Sequence, residues 1–284
     1  MLYDRKKKFS IDAEDSIRGC ADAGYKYLDL VLDAYLKPNM PLAADGWQKW
    51  AEDLAEYTYS LGLEFSQSHG YFYPKTNLDS NGIRQDPLYD ENVRRSIISS
   101  QICGVKWMVL HPTLWPDADG NADVKRSLEY NREFFLKWGE FASLHKVGIA
   151  VENMYNYLDG MKYYCVMPEE IIELVDAVND PMVRICIDTG HAHLSRLDVP
   201  DYIKAVGSRL KATHIDDNRQ TADDHLAPFQ GTIPWNEVMQ AFKDINYQND
   251  FSFEIQHFSS CFPAKIQSGL VGFSHSLGKY LLSL

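Results

Sequence analysis

Short apolar runs alternate with longer amphipathic stretches along the whole chain, and the clearest run is VRICID, residues 183–188. Val183, Ile185 and Ile187 are β-branched at period two, while Arg184, Cys186 and Asp188 take the other face. That pattern predicts a short strand delivering a carboxylate at its C-terminal end. Thr189-Gly190 then breaks the strand and His191 follows within one turn. An Asp and a His three apart across a glycine suit a hard-to-borderline divalent metal. The competing reading is a helix N-cap supplied by Asp188 or Thr189.

The same reading along the chain predicts a helix from Ser10 to Gly24, capped by Ser10, then a strand over Tyr25–Leu32. A helix over Gly46–Ser60 and a strand over Leu63–His69 follow, and the Pro-, Asn- and Gly-rich stretch Tyr71–Pro87 reads as a long loop. Leu88–Cys103 is helix, Val105–His111 strand, Ala122–Lys146 helix and Val147–Asn153 strand. A Tyr- and Met-rich loop, Met154–Met167, leads to a helix opened by Pro168. After the Asp188 strand come a helix over Pro200–Gly207, a strand over Leu210–Asp216 and a polar loop over Asn218–Thr232. A helix over Pro234–Ile245, a strand over Phe251–Gln256 and a closing helix near Ala264–Leu281 complete the chain.

These are seven β-then-α units, and regular alternation implies parallel strands with crossover helices. Eight strands close a (β/α)8 TIM barrel. MLYDRKKKF is a poor strand, so the first one is expected to be weak or degenerate. An open doubly wound sheet is the alternative, but no glycine-rich phosphate loop follows an early strand.

Composition narrows the function. At 284 residues and 45% hydrophobic the chain carries a sizeable core, and α/β barrels of this size are routinely one domain, here 1–284. No apolar run approaches the ~18 residues of a membrane helix, and the basic N-terminus lacks the apolar core of a secretion signal. The five cysteines are scattered without C-x-x-C spacing, as expected of reduced thiols in a cytoplasmic protein. A net charge of −12 disfavours nucleic acid as a partner. Seventeen Tyr and six Trp exceed the needs of a core, and suit a sugar pocket, a homo-oligomer or a partner subunit.

In a barrel, chemistry collects at the C-terminal ends of strands. There the chain places Glu152, Asp188, His214 and Glu254. With Glu152 inward, Ala150 and Gly148 also face in; with Glu254 inward, Ser252 faces in and Phe251 and Phe253 face out. His214 is less clean, since Lys211 and Thr213 then face the helices. Three carboxylates buried together need a cation, and this oxygen-and-nitrogen set fits Mn²⁺, Mg²⁺, Co²⁺ or Zn²⁺. His69 and His111 end two earlier strands. Glu64 reads as a strand-face or helix-facing charge.

The motifs VLHP, VEN, CIDTGH, HIDD, DDHLAPFQGTIPW and FEI, in this order, resemble the xylose isomerase-like TIM barrel superfamily. That group includes sugar phosphate isomerases and epimerases, ketose 3-epimerases, inosose-converting enzymes and the AP endonuclease family 2 (endonuclease IV-like) proteins. The resemblance implies that Glu152, Asp188, His214 and Glu254 bind one divalent metal, Mn²⁺ first, and that the two glutamates form the acid/base pair. It also implies substrate contacts from His191 and Arg219, with His69, His111 and His225 lining the pocket.

The implied reaction is proton abstraction next to the carbonyl of a ketose or related keto-sugar, through an enediolate on the metal. Return of the proton to the opposite face gives an epimerase, and to the neighbouring carbon an isomerase. Loss of a β-leaving group gives a lyase on a 3-keto glycoside. A zinc phosphodiesterase like endonuclease IV is a further alternative, because its nine ligands trace onto His69, His111, Glu152, Asp188, His191, His214, Asp223, His225 and Glu254. Few cations stand near the last two loops, Arg219 and Lys265 only, so a non-phosphorylated substrate is expected.

Overall fold

The computed structural model describes residues 3–4, 9–10, 12–72, 78–156, 160–259 and 262–284. Six parallel strands form one sheet in chain order: β3 (Tyr27–Val31), β4 (Glu64–His69), β5 (Trp107–Leu110), β6 (Gly148–Glu152), β7 (Val183–Asp188) and β8 (Leu210–His214). Each is followed by helix, from α2 (Trp47–Ser60), α3 (Tyr89–Ile102), α4 (Val124–Leu144) and α5 (Pro168–Val178) to α6 (Thr189–Leu194), α7 (Val199–Val206) and α8 (Trp235–Asp244). The chain is framed by α1 (Ala13–Ala23) and α9 (Ala264–Leu281), which pack on each other. This is a TIM barrel, as the alternation of strands and helices predicts.

The ends of the ring depart from the pattern. Tyr3–Asp4 (β1) and Phe9–Ser10 (β2) pair antiparallel with each other, so no barrel strand precedes α1 among the described residues. The segment expected as the last strand joins the sheet through one parallel bridge, Ile215 to Phe253, flanked by Ile215 N to Ser252 O and Glu254 N to Ile215 O. Between this segment and β3 lies a cavity of about 570 Å³, lined by Leu28 and Val31 on one side, Phe251 and Ile255 on the other, and Val271 of α9. The ring is therefore open along a seam where an eighth strand would stand.

Helix ends fall within a few residues of expectation. Asp12, not Ser10, caps α1 by accepting from Glu14 N, and Gly24 stops it in the left-handed region. Period-two alternation sets the barrel interior in layers. Gly148 and Trp107 form the floor, where a Cβ at position 148 would run into the indole. Val109, Ala150, Cys186 and Ala212 make a small apolar layer above it. The next inward positions are His111, Glu152, Asp188 and His214. The outward residues Ile149, Val151, Ile185 and Ile187 pack against the helices. The small middle layer leaves room above it for charged side chains.

No described helix is long and apolar enough to cross a membrane. Cys20, Cys103, Cys165 and Cys186 are free thiols; Cys261 lies outside the described residues.

Candidate metal centre at the C-terminal end of the barrel

Glu152, Asp188 and Glu254 come together at the barrel mouth, and His214, for which strand parity was less clean, joins them, with one donor atom of each within 4.8 Å of all the others. Glu152 and Asp188 are fully buried, and Glu254 is partly open to solvent. The register shift between Ile185 and Cys186 places Asp188 opposite His214. Asp188 is the N-cap of α6, and the same side chain keeps an oxygen free for the cluster. Its Oδ1 accepts from His191 N at 2.7 Å and caps α6, while Oδ2 is buried with no hydrogen-bond partner.

His69 and His111 join the same group. His111 Nε2 lies 2.9 Å and His69 Nε2 3.4 Å from Glu152 Oε2, an oxygen that is buried yet has no aligned hydrogen bond. The two ring nitrogens are 3.1 Å apart. A second group, Asp216, Asp223 and His225, adjoins the first. His225 Nε2 is 3.2 Å and His191 Nε2 3.8 Å from Asp223 Oδ2. Asp216 Oδ2 and Asp223 Oδ1 are buried without hydrogen-bond partners, His225 Nδ1 lying 3.7 Å from the first.

Ring orientation is set from outside the cluster. Paired with carbonyl acceptors, Nδ1 of His69, His191 and His225 donates to the backbone of Gly70, Asn153 and Glu254 at 2.8–2.9 Å. Each Nε2 is thereby left facing the carboxylates, the tautomer a metal ligand requires. His225 also holds a left-handed φ of 45°, unusual for a non-glycine residue and typical of functional sites.

The electrostatics describe a cluster balanced by protons. Burial favours the neutral acid of Glu152, but His214 and His111 override it and hold the carboxyl well below its ordinary range. Burial, helped by the Glu152 charge, pushes Asp188 up to about 7 against the pull of His191. Asp216 is raised well above the usual value, by burial and then by Asp188. Burial disfavours charge on His214 and His191, yet Glu254 and Glu152 raise the first and Asp188 and Asp223 the second. Unpartnered buried oxygens on Glu152 and Asp188, within a group whose donor atoms lie within 4.8 Å of one another, fit a divalent cation, because a cation satisfies them without protons. The three-oxygen, one-nitrogen set matches the hard-to-borderline ions expected.

Other expected residues sit elsewhere. Arg219 is exposed and its guanidinium donates to the Gln230 carbonyl, so it is not among the converging side chains. Glu64 is exposed at the start of β4. In the loop after Glu152, Tyr155 stacks obliquely on His191, whereas Tyr163, Tyr164 and Cys165 are buried in the core; residues 157–159 lie outside the described residues. The side chain of Lys265 also lies outside them. Sequence reasoning missed Phe72, whose ring lies over His69 and His111 at 5.2 and 4.7 Å between centroids. It also missed Asp29, which approaches His214 from the seam.

The HIDD and GTIPW motifs have a structural explanation. Asp217 accepts from the backbone N–H of Asn218, Phe229, Gly231 and Ile233 and from Trp235 Nε1, tying the Asn218–Thr232 loop to the barrel. A side chain at position 231 would collide with that carboxylate, which explains the glycine.

Fold and site together define a TIM barrel with a metal-competent carboxylate and imidazole centre at the mouth of its strands. The chain belongs to the xylose isomerase-like TIM barrel family, whose model matches residues 17–270. It is 33% identical over 233 residues to the D-psicose 3-epimerase of Enterocloster bolteae, covering 78% of this chain and 68% of that one. Among solved structures it resembles a D-psicose 3-epimerase from Clostridium cellulolyticum H10, with a TM-score of 0.75 at 17% identity over 96% of this chain and 94% of that one. It also resembles a 3-keto-D-glucoside 4-epimerase from E. coli, with a TM-score of 0.71 at 12% identity over 100% and 98%.

Proposed function

We propose that residues 1–284 form one catalytic domain, a divalent-metal-dependent sugar isomerase or epimerase acting on a ketose or related keto-sugar. The observation that carries this reading is the convergence of Glu152 and Glu254 with Asp188 and His214 at the barrel mouth. The likeness to a D-psicose 3-epimerase supports the substrate class.

Glu152, Asp188, His214 and Glu254 would hold the ion, Mn²⁺ by preference. When bound, it supplies positive charge that acidifies the carbon next to the substrate carbonyl. Glu152, kept ionised by His214 and His111, is suited to take that proton, and Glu254, partly open to solvent, to return one. His191, with Tyr155 against it, orients substrate oxygens, and the Phe72 ring over His69 and His111 excludes water from the pocket floor.

The test is solvent exchange in D₂O over a panel of ketoses and keto-glycosides. Wild type is expected to incorporate deuterium at the carbon next to the carbonyl. Glu152→Gln and Glu254→Gln are each expected to slow incorporation by about 10²–10⁴-fold. Exchange retained in both variants contradicts the assignment.

A second reading, a zinc phosphodiesterase, is favoured by one observation: His69, His111, His191, Asp223 and His225 gather beside the four-residue set, more donors than a single ion uses. Metal analysis separates the two, one ion per chain supporting the sugar reading and three zincs the other. The net charge of −12 weighs against a nucleic-acid substrate.

A further inference from the structure

We propose that Asp29 is a positioning residue for the metal centre, holding the His214 ring from its far side and the Glu254 segment through Ser252. This rests on the metal-dependent reading above and adds to it a group outside the ligand set.

Asp29 lies mid-strand between Leu28 and Leu30, half-buried with its Oδ1 enclosed and without a hydrogen bond, where a carboxylate is costly unless it is used. A register shift between Leu28 and Asp29 sets it opposite Gln67. Gln67 Nε2 donates to Asp29 Oδ2 at 2.5 Å and to the Thr213 carbonyl at 3.0 Å, and Gln67 Oε1 accepts from Thr213 N. The carboxylate is thus locked to the residue preceding His214. Oδ2 also accepts from Ser252 Oγ at 2.9 Å and lies 3.5 Å from His214 Nε2.

His214 is turned the opposite way from the other oriented histidines of the site. Its Nδ1 faces the ligand carboxylates, 2.8 Å from Glu152 and 3.3 Å from Glu254, so its Nε2–H needs an acceptor. His69, His191 and His225 find theirs in backbone carbonyls; His214 has Asp29. A carboxylate in that position fixes the ring and strengthens the opposite nitrogen as a ligand. Ser252 stands two residues before Glu254 on the same inward face, so the same oxygen also steadies a second ligand. This link crosses the seam, where the segment carrying Glu254 has no ladder to β3.

The experiment is calorimetric titration of the chelated protein with Mn²⁺, with visible absorption of the Co²⁺-loaded form as a second readout. Wild type is expected to bind one ion. Asp29→Ala is expected to raise Kd about 10–100-fold and shift the Co²⁺ bands. Asp29→Asn, which keeps an acceptor oxygen, is expected to fall between the two. A Kd within twofold of wild type and unchanged Co²⁺ bands in Asp29→Ala overturn the proposal. If that variant does not fold, the same criteria apply to Asp29→Asn. Failure of wild type to bind Mn²⁺ or Co²⁺ overturns the metal reading itself, a result distinct from equal binding by wild type and variant.

Discussion

Asp188 caps the helix that carries His191: its Oδ1 accepts from His191 N at 2.7 Å, while its Oδ2 is left in the cluster. One side chain therefore sets the direction of α6 and offers a second oxygen to the proposed metal site. Asp188→Asn retains the cap and loses the charge, whereas Asp188→Ala loses both. Asn is expected to abolish tight Mn²⁺ binding with little change in the Tm of the chelated protein at pH 5, where Asp188 is itself protonated. Ala is expected to lower that Tm as well, by the equivalent of about 1 kcal/mol. Thermal melts with and without Mn²⁺ distinguish them.

Protonation of the chelated cluster gives a second prediction. Asp188 is raised to about 7, so between pH 4 and pH 7 the folded protein holds a proton that the unfolded chain releases. Its contribution to stability is greatest below that window and declines as pH rises through it. Chelated wild type is expected to lose Tm from pH 5 to pH 6.5 more steeply than Asp188→Asn. Metal binding at pH 6 must expel the proton, so calorimetry in buffers of different ionisation enthalpy should register proton release.

Asp217 is expected to be structural. Its carboxylate collects four backbone N–H groups and the Trp235 indole, all left without an acceptor in Asp217→Ala. The loss is expected to be about 3–5 kcal/mol, a fall in Tm of roughly 10 °C by calorimetry.

Gly190 donates its N–H to Asp216 Oδ1 at 2.8 Å, and a Cβ there would run into both carboxylate oxygens. Gly190→Ala is expected to displace Asp216 and cost about 1–3 kcal/mol in thermal melts. Asp216→Ala, which removes the obstacle, is expected to be less sensitive to the added methyl in a double-mutant cycle.

The inward strand-end residues Glu152 and Asp188 were legible because parity is a local signal: Glu152 shares a face with Ala150 and Gly148, and Asp188 with Cys186. Asp29 was not, because its partners Gln67, His214 and Ser252 lie far along the chain and a bulge, invisible in composition, turns it toward them. The last segment, FSFEIQ, has a strand's alternation but forms one bridge, since among the described residues nothing pairs with its other edge. Arg219 matches a loop position by motif order, yet it is exposed and its Nη2 donates to the Gln230 carbonyl.

Only one margin of β3 is laced to a neighbour among the described residues, whereas β5, β6 and β7 are laced on both. Amide protons on the unlaced margin of Tyr27–Val31 should therefore be lost to deuterated solvent first, and those of Gly148–Glu152 last. Rather than opening evenly, this barrel should unzip from the seam, with the strand of Glu152 the last to let go.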